Sequence, residues 1–330
     1  MIKVNILSTE KVAFCGDIHF DTATPQARID DYMEACCRKV ESIGDICEKE
    51  KVKYLFLAGD IFNRISCSHE CVNRAGKALL QLKERGIRIF SICGNHDLLR
   101  DSLQKLSQSP IETLFSFGVL EHISLSNPVE FREIGTNETQ RTAKLTAVDF
   151  TESIPPADNN YDTNVLLAHM FFGQTGFLSD ESQNIPNEKM EAYGYDMAFL
   201  GHDHEAYEPI LCGKTIVIRN GSLMRGTRHD YNFIQEPAIV IVDDIFKPKI
   251  CRRIIIPHRP YKEIVSQAVL VKKFDDGYTM VDKQALRNLA DKLASAKLNE
   301  SNIDDSILKI VETDPQIPPN CRKILISYIK

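Results

Sequence analysis

The sequence predicts an α/β protein: two sheets packed face to face with helices outside, a four-layer α/β/β/α sandwich, followed by a small C-terminal α+β domain. Three observations carry this. Short apolar runs alternate with helical stretches in the first half, further apolar runs follow at shorter intervals, and the character changes after Pro257 and Pro260. The chain has 330 residues, and single cores usually stop growing at about 250–300 residues. A main domain over 1–256 and an appendage over 257–330 are therefore expected.

Val12 to Phe14, Tyr54 to Ala58 and Ile87 to Ile92 read as buried strands bounded by glycine turns. Residues 29–50 carry helical periodicity. Ser68 is the expected N-cap of a helix with Val72, Ala75, Leu79 and Leu82 on one face, ended by Gly86. The first half should therefore form βαβ units. Val165 to Ala168, Met197 to Leu200, Thr215 to Ile218, Ala238 to Val242 and Ile250 to Ile256 read mainly as strands of a second sheet. In the appendage, Ile264 to Val271 is strand-like. Leu286, Leu289, Ala290 and Leu293 form an apolar stripe with Asp282 as its cap, Ile307, Leu308 and Val311 suggest another helix, and Ile324 to Ile329 follows the Pro318-Pro319 break.

Composition excludes several classes of function. Charged residues make up 26% and the hydrophobic set 43%, which is ordinary for a globular protein and unlike a disordered one. The net charge is −6, with −8 on residues 1–256 and +2 on 257–330, so any contact with nucleic acid must be local. Ten cysteines without a CxxC pair, and a start lacking a signal-like apolar run, predict free thiols in a reducing cytoplasm. Cys15, Cys93 and Cys212 have small or apolar neighbours and read as packing residues. No window approaches the ~20 apolar residues of a membrane span.

Five clusters share one position, the polar end of an apolar run: Gly16-Asp17-Ile18-His19, Gly59-Asp60, Gly94-Asn95-His96-Asp97, Ala168-His169 and Gly201-His202-Asp203-His204. Ligands gather at the carboxyl ends of strands in α/β folds, so clusters distant in sequence can converge there. Residues two apart in extended chain point the same way, so Asp17 and His19 can face one ion, as can His202 and His204. Any one cluster alone reads as a turn or a strand end. Together they supply imidazole and carboxylate, a donor set suited to Mn, Fe or Zn better than to Mg.

The set resembles the calcineurin-like metallophosphoesterase superfamily, whose motifs read D-x-H, G-D, G-N-H-D/E, H and G-H-x-H, over roughly residues 10 to 245. Within it the chain is most similar to SbcD-type nucleases of double-strand-break repair and their phage recombination counterparts. The stretch PIETLFSFGVLEHI from Pro110 to Ile123, the string FLGHDHE, and Asn220-Gly221-Ser222-Leu223 carry this narrower likeness. The resemblance implies the metallophosphoesterase fold and two divalent metals, Mn2+ foremost, with Mg2+, Fe2+ or Zn2+ as alternatives. It implies that Asp17, His19 and His204 hold one metal, that Asn95, His169 and His202 hold the other, and that Asp60 bridges them. His96 would lie outside the ligand shell and act on the phosphate or its leaving oxygen, while Asp97 anchors the loop. The implied partners are DNA, a second copy of the chain, and an SbcC-type coiled-coil ATPase that docks near the C-terminus.

Many nucleases of this type carry histidine where Asn63 stands, and Arg64 echoes the phosphate-gripping arginine of Ser/Thr protein phosphatases. A phosphomonoesterase or protein phosphatase is therefore the competing expectation, and a non-catalytic scaffold is disfavoured by the complete ligand set. Arg219, Arg225, Arg228 and His229, just after the last of these clusters, read equally as a grip on a phosphate backbone at the site's rim and as a solvated turn. Phe171 and Phe172 read as core, with base stacking as the alternative.

Overall fold

The computed structural model describes residues 5–7, 11–134, 140–173, 184–227, 229 and 231–266, all within one compact unit. The expected helices around Leu286 to Leu293 and Ile307 to Val311, and the run Ile324 to Ile329, lie outside the described residues.

Two sheets form the centre. The first has six strands in the order Cys251–Ile255, Ala238–Val242, Val12–Cys15, Tyr54–Leu57, Arg88–Ser91 and Glu121–His122. Its last four strands are parallel, and the Ala238–Val242 and Cys251–Ile255 hairpin adds antiparallel to Val12–Cys15. The second has seven, in the order Asn5–Leu7, Val129–Ile134, Gln140–Val148, Thr163–His169, Met197–Gly201, Thr215–Arg219 and Ile210–Cys212. Gln140–Val148, Thr163–His169, Met197–Gly201 and Thr215–Arg219 run parallel.

Strand periodicity builds the layers. Alternate residues point to opposite faces, so Ala13, Cys15, Leu55, Leu57 and Ile89 meet the helices while Val12, Phe14, Phe56 and Phe90 enter the space between sheets. There Phe14 stacks on Phe56 at 5.4 Å and on Phe199 of the second sheet at 5.3 Å, and Phe56 stacks on Phe90 at 5.0 Å. Helices Tyr32–Glu50 and His69–Glu84 cover the first sheet with Met33, Cys36, Val40, Ile43, Ala75, Leu79 and Leu82. The second sheet's outer face packs on Ile154, Tyr195 and Met190, the last from the short helix Asn187–Tyr193. This is the four-layer α/β/β/α sandwich that the sequence predicts.

Both long helices start on side-chain caps: Asp31 accepts from the Glu34 amide at 2.9 Å, and Ser68 from the Cys71 amide at 3.1 Å. Gly86 follows the second helix with φ +82°.

Two expectations need correction, and one pair of strands was not expected. Ala238–Val242 and Cys251–Ile255 belong to the first sheet, because their partner is the distant Val12–Cys15. The hairpin Val129–Ile134 with Gln140–Val148 escapes a search for apolar runs, since Glu130, Arg132, Glu133, Arg141 and Lys144 interrupt it. Ile264 ends a helical turn, Tyr261–Ile264, and Val265 forms an antiparallel bridge to Arg28; residues 267–271 lie outside the described residues. Tyr261, Ile264 and Val265 pack with Ala27 and Phe233.

Candidate metal centre

Five parallel strands deliver the expected residues to one place. Asp17 and His19 follow Val12–Cys15, Asp60 follows Tyr54–Leu57, and Asn95 and His96 follow Arg88–Ser91. His169 is the last residue of Thr163–His169, and His202 and His204 follow Met197–Gly201. The backbone bends sharply to do this: Gly59, Asp60, His19 and His202 have φ of 90°, 48°, 56° and 79°. A left-handed conformation is costly for non-glycine residues and concentrates where function demands it. Gly94 is needed for another reason, since a Cβ there would lie 2.1 Å from Asp60 Oδ1.

Donor atoms form two groups that share Asp60. Asp17, His19, Asp60 and His204 make one, and Asp60, His169 and His202 the other, each with its atoms within 4.8 Å of one another. His19 Nε2 lies 2.8 Å from His204 Nε2 and 3.7 Å from Asp60 Oδ2. His169 Nε2 lies 3.3 Å from Asp60 Oδ2 and 3.1 Å from Asn95 Oδ1, which brings Asn95 to the second group. The two-apart spacing argument fails for His202 and His204. The left-handed backbone at His202 breaks the extended geometry it assumes, and the two imidazoles enter different groups.

Buried polar atoms normally have partners, yet Asp60 Oδ2 and His19 Nδ1 have none. Asp60 Oδ2 sits between the His19 and His169 nitrogens. The donor chemistry, carboxylate with imidazole and an amide oxygen, fits divalent metals of the Mn, Fe and Zn type. Burial lowers His19 below its usual range, and burial with the charge of His169 lowers His202 to about 3 and His204 to about 4. All three are thereby kept neutral. Burial pushes Asp17 up to about 8, reinforced by Asp60. Burial opposes both charges of the Asp60–His169 pair, but their mutual attraction prevails: His169 rises to about 9 and Asp60 falls well below the carboxylate range.

The supporting layer is legible atom by atom. Asp97 accepts from the amides of Ile61, Phe62 and Gly94 at 3.0–3.1 Å and ties two ligand loops together. His169 Nδ1 donates to the Ala58 carbonyl at 2.7 Å, which directs Nε2 inward. His96 lies beside the donors: its amide donates to Asp60 Oδ1 at 2.9 Å, its Nδ1 donates to the Asn63 carbonyl at 2.5 Å, and its ring meets His19 edge-on at 5.0 Å.

Residues 10–206 match the calcineurin-like phosphoesterase family. The chain belongs to that family. It is 27% identical over 207 residues to the DNA double-strand break repair protein Mre11 of Methanopyrus kandleri, covering 59% of this chain and 44% of that one. It is 24% identical over 232 residues to the double-strand break repair protein MRE11 of Encephalitozoon cuniculi, covering 58% and 39%. The chain thus spans less than half the length of these curated relatives. Among solved structures it is similar to TT1561 of Thermus thermophilus, with 7% identity and a TM-score of 0.45 over 76% of this chain and 100% of that one. Among the described residues of this family member no helix is long and apolar enough to cross a membrane.

Beside His19 and His204 opens a cavity of about 260 Å³, lined also by Asn63, Arg64, Tyr231 and Asn232. The expected arginines fare differently. Arg64 is half-exposed there, bound to Asp21 Oδ2 at 2.6 Å, and Asn63 Nδ2 donates to the same oxygen at 2.8 Å. Asp21, the next alternate residue after Asp17 and His19, was a signal the motif reading left unused. Arg219 is not at the rim: it is buried, 3.7 Å from Asp203 and stacked over Tyr207 at 3.9 Å. Arg225 is buried too, and donates to the Arg259 carbonyl. Both are long side chains whose apolar stems were free to turn inward, which a basic cluster in sequence does not reveal. Arg228 lies outside the described residues. Phe172 is core, whereas Phe171 is only partly buried and lies 4.0 Å from the His202 ring.

Proposed function

We propose that this chain is the nuclease component of a recombination or double-strand-break repair system, a two-metal phosphodiesterase acting on DNA as exonuclease and endonuclease. Asp17, His19 and His204 would hold one divalent ion and Asn95, His169 and His202 the other, with Asp60 shared between them. Mn2+ is the favoured ion, with Mg2+, Fe2+ or Zn2+ as alternatives. The observation that carries this reading is Asp60, a residue common to both donor groups, whose buried Oδ2 has no hydrogen-bond partner and lies 3.7 Å from His19 Nε2 and 3.3 Å from His169 Nε2. Two cations held there would supply charge neutralisation of a phosphodiester, activation of a water and stabilisation of attacking and leaving oxygens.

The chain's own residues do the rest. The Asn63 carbonyl can only accept, so it fixes the proton on His96 Nδ1 and leaves Nε2 to orient the phosphate or to serve the leaving oxygen. The cavity beside His19 supplies room for the adjoining nucleotide. The likeness to the two repair proteins supports DNA as substrate; the proposal extends, on the family resemblance of the motifs alone, to a homodimer, an SbcC-type ATPase docking on a 257–330 domain, and a cytoplasmic setting.

A second reading, phosphomonoesterase or Ser/Thr protein phosphatase, draws on Arg64 at the cavity mouth. Its guanidinium is held by Asp21, which favours the first. Rates with Mn2+ on linear and hairpin DNA, a nitrophenyl phosphate ester and a phosphopeptide separate the two. DNA cleavage above the monoesters is expected; intact DNA, even with the ATPase present, overturns the nuclease reading.

A further inference from the structure

A third donor cluster stands apart from the seven ligands: Cys93, His122 and Asp149, whose ligand atoms also lie within 4.8 Å of one another. The geometry points to a third metal site, a zinc site with Cys93, His122 and Asp149 as three ligands and a fourth position left to water, joining the two sheets next to the Asn95–His96 loop.

Its parts come from three strand ends. Cys93 follows Arg88–Ser91 and His122 closes Glu121–His122, both in the first sheet, while Asp149 follows Gln140–Val148 in the second. His122 Nε2 lies 3.8 Å from Cys93 Sγ and 3.0 and 3.1 Å from the Asp149 oxygens. Zinc bonds of about 2.3 Å to sulfur and 2.0–2.2 Å to nitrogen or oxygen span tetrahedral edges of about 3.3–3.6 Å, so small shifts admit the ion. Phe115 stacks on the His122 ring at 4.7 Å and holds its plane. Cys93 and Asp149 are buried, and His122 is partly open, which leaves an entry path.

Charge supplies an independent argument. Asp149, Glu152 and Glu112 surround this single imidazole. Burial, and after it the charge of Asp149, raises Glu152. A dication would balance these carboxylates. On binding, the Sγ–H bond breaks, its proton leaves to water, and a zinc–thiolate bond forms. Soft thiolate with imidazole and one carboxylate is a zinc preference, and the seven residues of the other centre include no thiol, so the two sites differ spectroscopically.

The test uses the full chain stripped with a chelator and reloaded with Co2+, then with Zn2+. Wild type is expected to show a near-ultraviolet thiolate-to-cobalt charge-transfer band. Cys93→Ser and His122→Asn are expected to lose the band and one metal equivalent while retaining the metals at the other centre. A Cys67→Ser, Cys71→Ser double variant should keep the band. Should Cys93→Ser not fold, His122→Asn decides by the same readouts. A folded, reloaded wild type without the band, or a band surviving either Cys93→Ser or His122→Asn, overturns the proposal and leaves His122–Asp149 as an ion pair. These outcomes do not depend on DNA cleavage.

Discussion

His96 and Asp60 illustrate how adjacent residues in one site divide labour. The Asp60 carboxylate uses Oδ1 to accept the His96 amide and leaves Oδ2 without a hydrogen bond, so the proposed bridging position and the candidate proton carrier are mechanically joined. Replacing His96 with alanine keeps that amide bond and removes only the ring. Turnover is expected to fall by about 10²- to 10⁴-fold, the usual contribution of a positioned acid or base, while metal content per chain stays as in wild type. Unchanged turnover rejects the role given to His96. Asp97, one residue on, is a fold residue: its carboxylate answers three buried amides. Asp97→Ala leaves them unanswered at about 1–3 kcal/mol each, and urea unfolding should register a loss of several kcal/mol. The metal-type residues were legible because each stood after an apolar run. The arginines were not, because whether a guanidinium faces solvent or a buried carbonyl is set by tertiary neighbours such as Asp203 and Arg259.

Elements were legible where a local signal marked them. Ser68 caps its helix as its side chain and position predict, and Ser68→Ala should cost about 0.5–2 kcal/mol. A loss of stability that disappears when Ser68 is replaced by Asp instead, measured by thermal unfolding, separates the cap from its contact with Thr22. Central strands such as Val12–Cys15 are buried on both faces and read as unbroken apolar runs. The strand Gln140–Val148 begins exposed and ends buried, so its first half carries charge and its pattern fades. Sheet membership was less legible than strand identity, since Ala238–Val242 finds Val12–Cys15 across more than two hundred residues by pairing rather than by any local preference.

At the scale of the whole molecule, the sandwich was legible but the bonds that bind layer to site were not. Lys39, on the outer helix Tyr32–Glu50, is buried and donates to the Leu223 carbonyl at 2.5 Å, while the Leu223 amide donates to the Asp17 carbonyl at 2.8 Å. A charged residue on a helix reads as solvent-facing, so nothing local announced this chain of contacts. Burial, aided by the charges of Arg225 and Arg28, lowers Lys39 to about 7. An unfolded lysine titrates near 10.4. Between these values the unfolded chain binds the extra proton, so the Lys39 contribution to stability is complete above the unfolded pKa and is lost as pH falls toward 7. Lys39→Met lacks that dependence. Measured by urea unfolding under reducing conditions at pH 7 and 9, wild type should gain roughly 2 kcal/mol relative to Lys39→Met across the interval. Every other titrating group cancels in that difference, so parallel stability curves mean that Lys39 keeps its proton in the folded protein and pairs differently from the arrangement described.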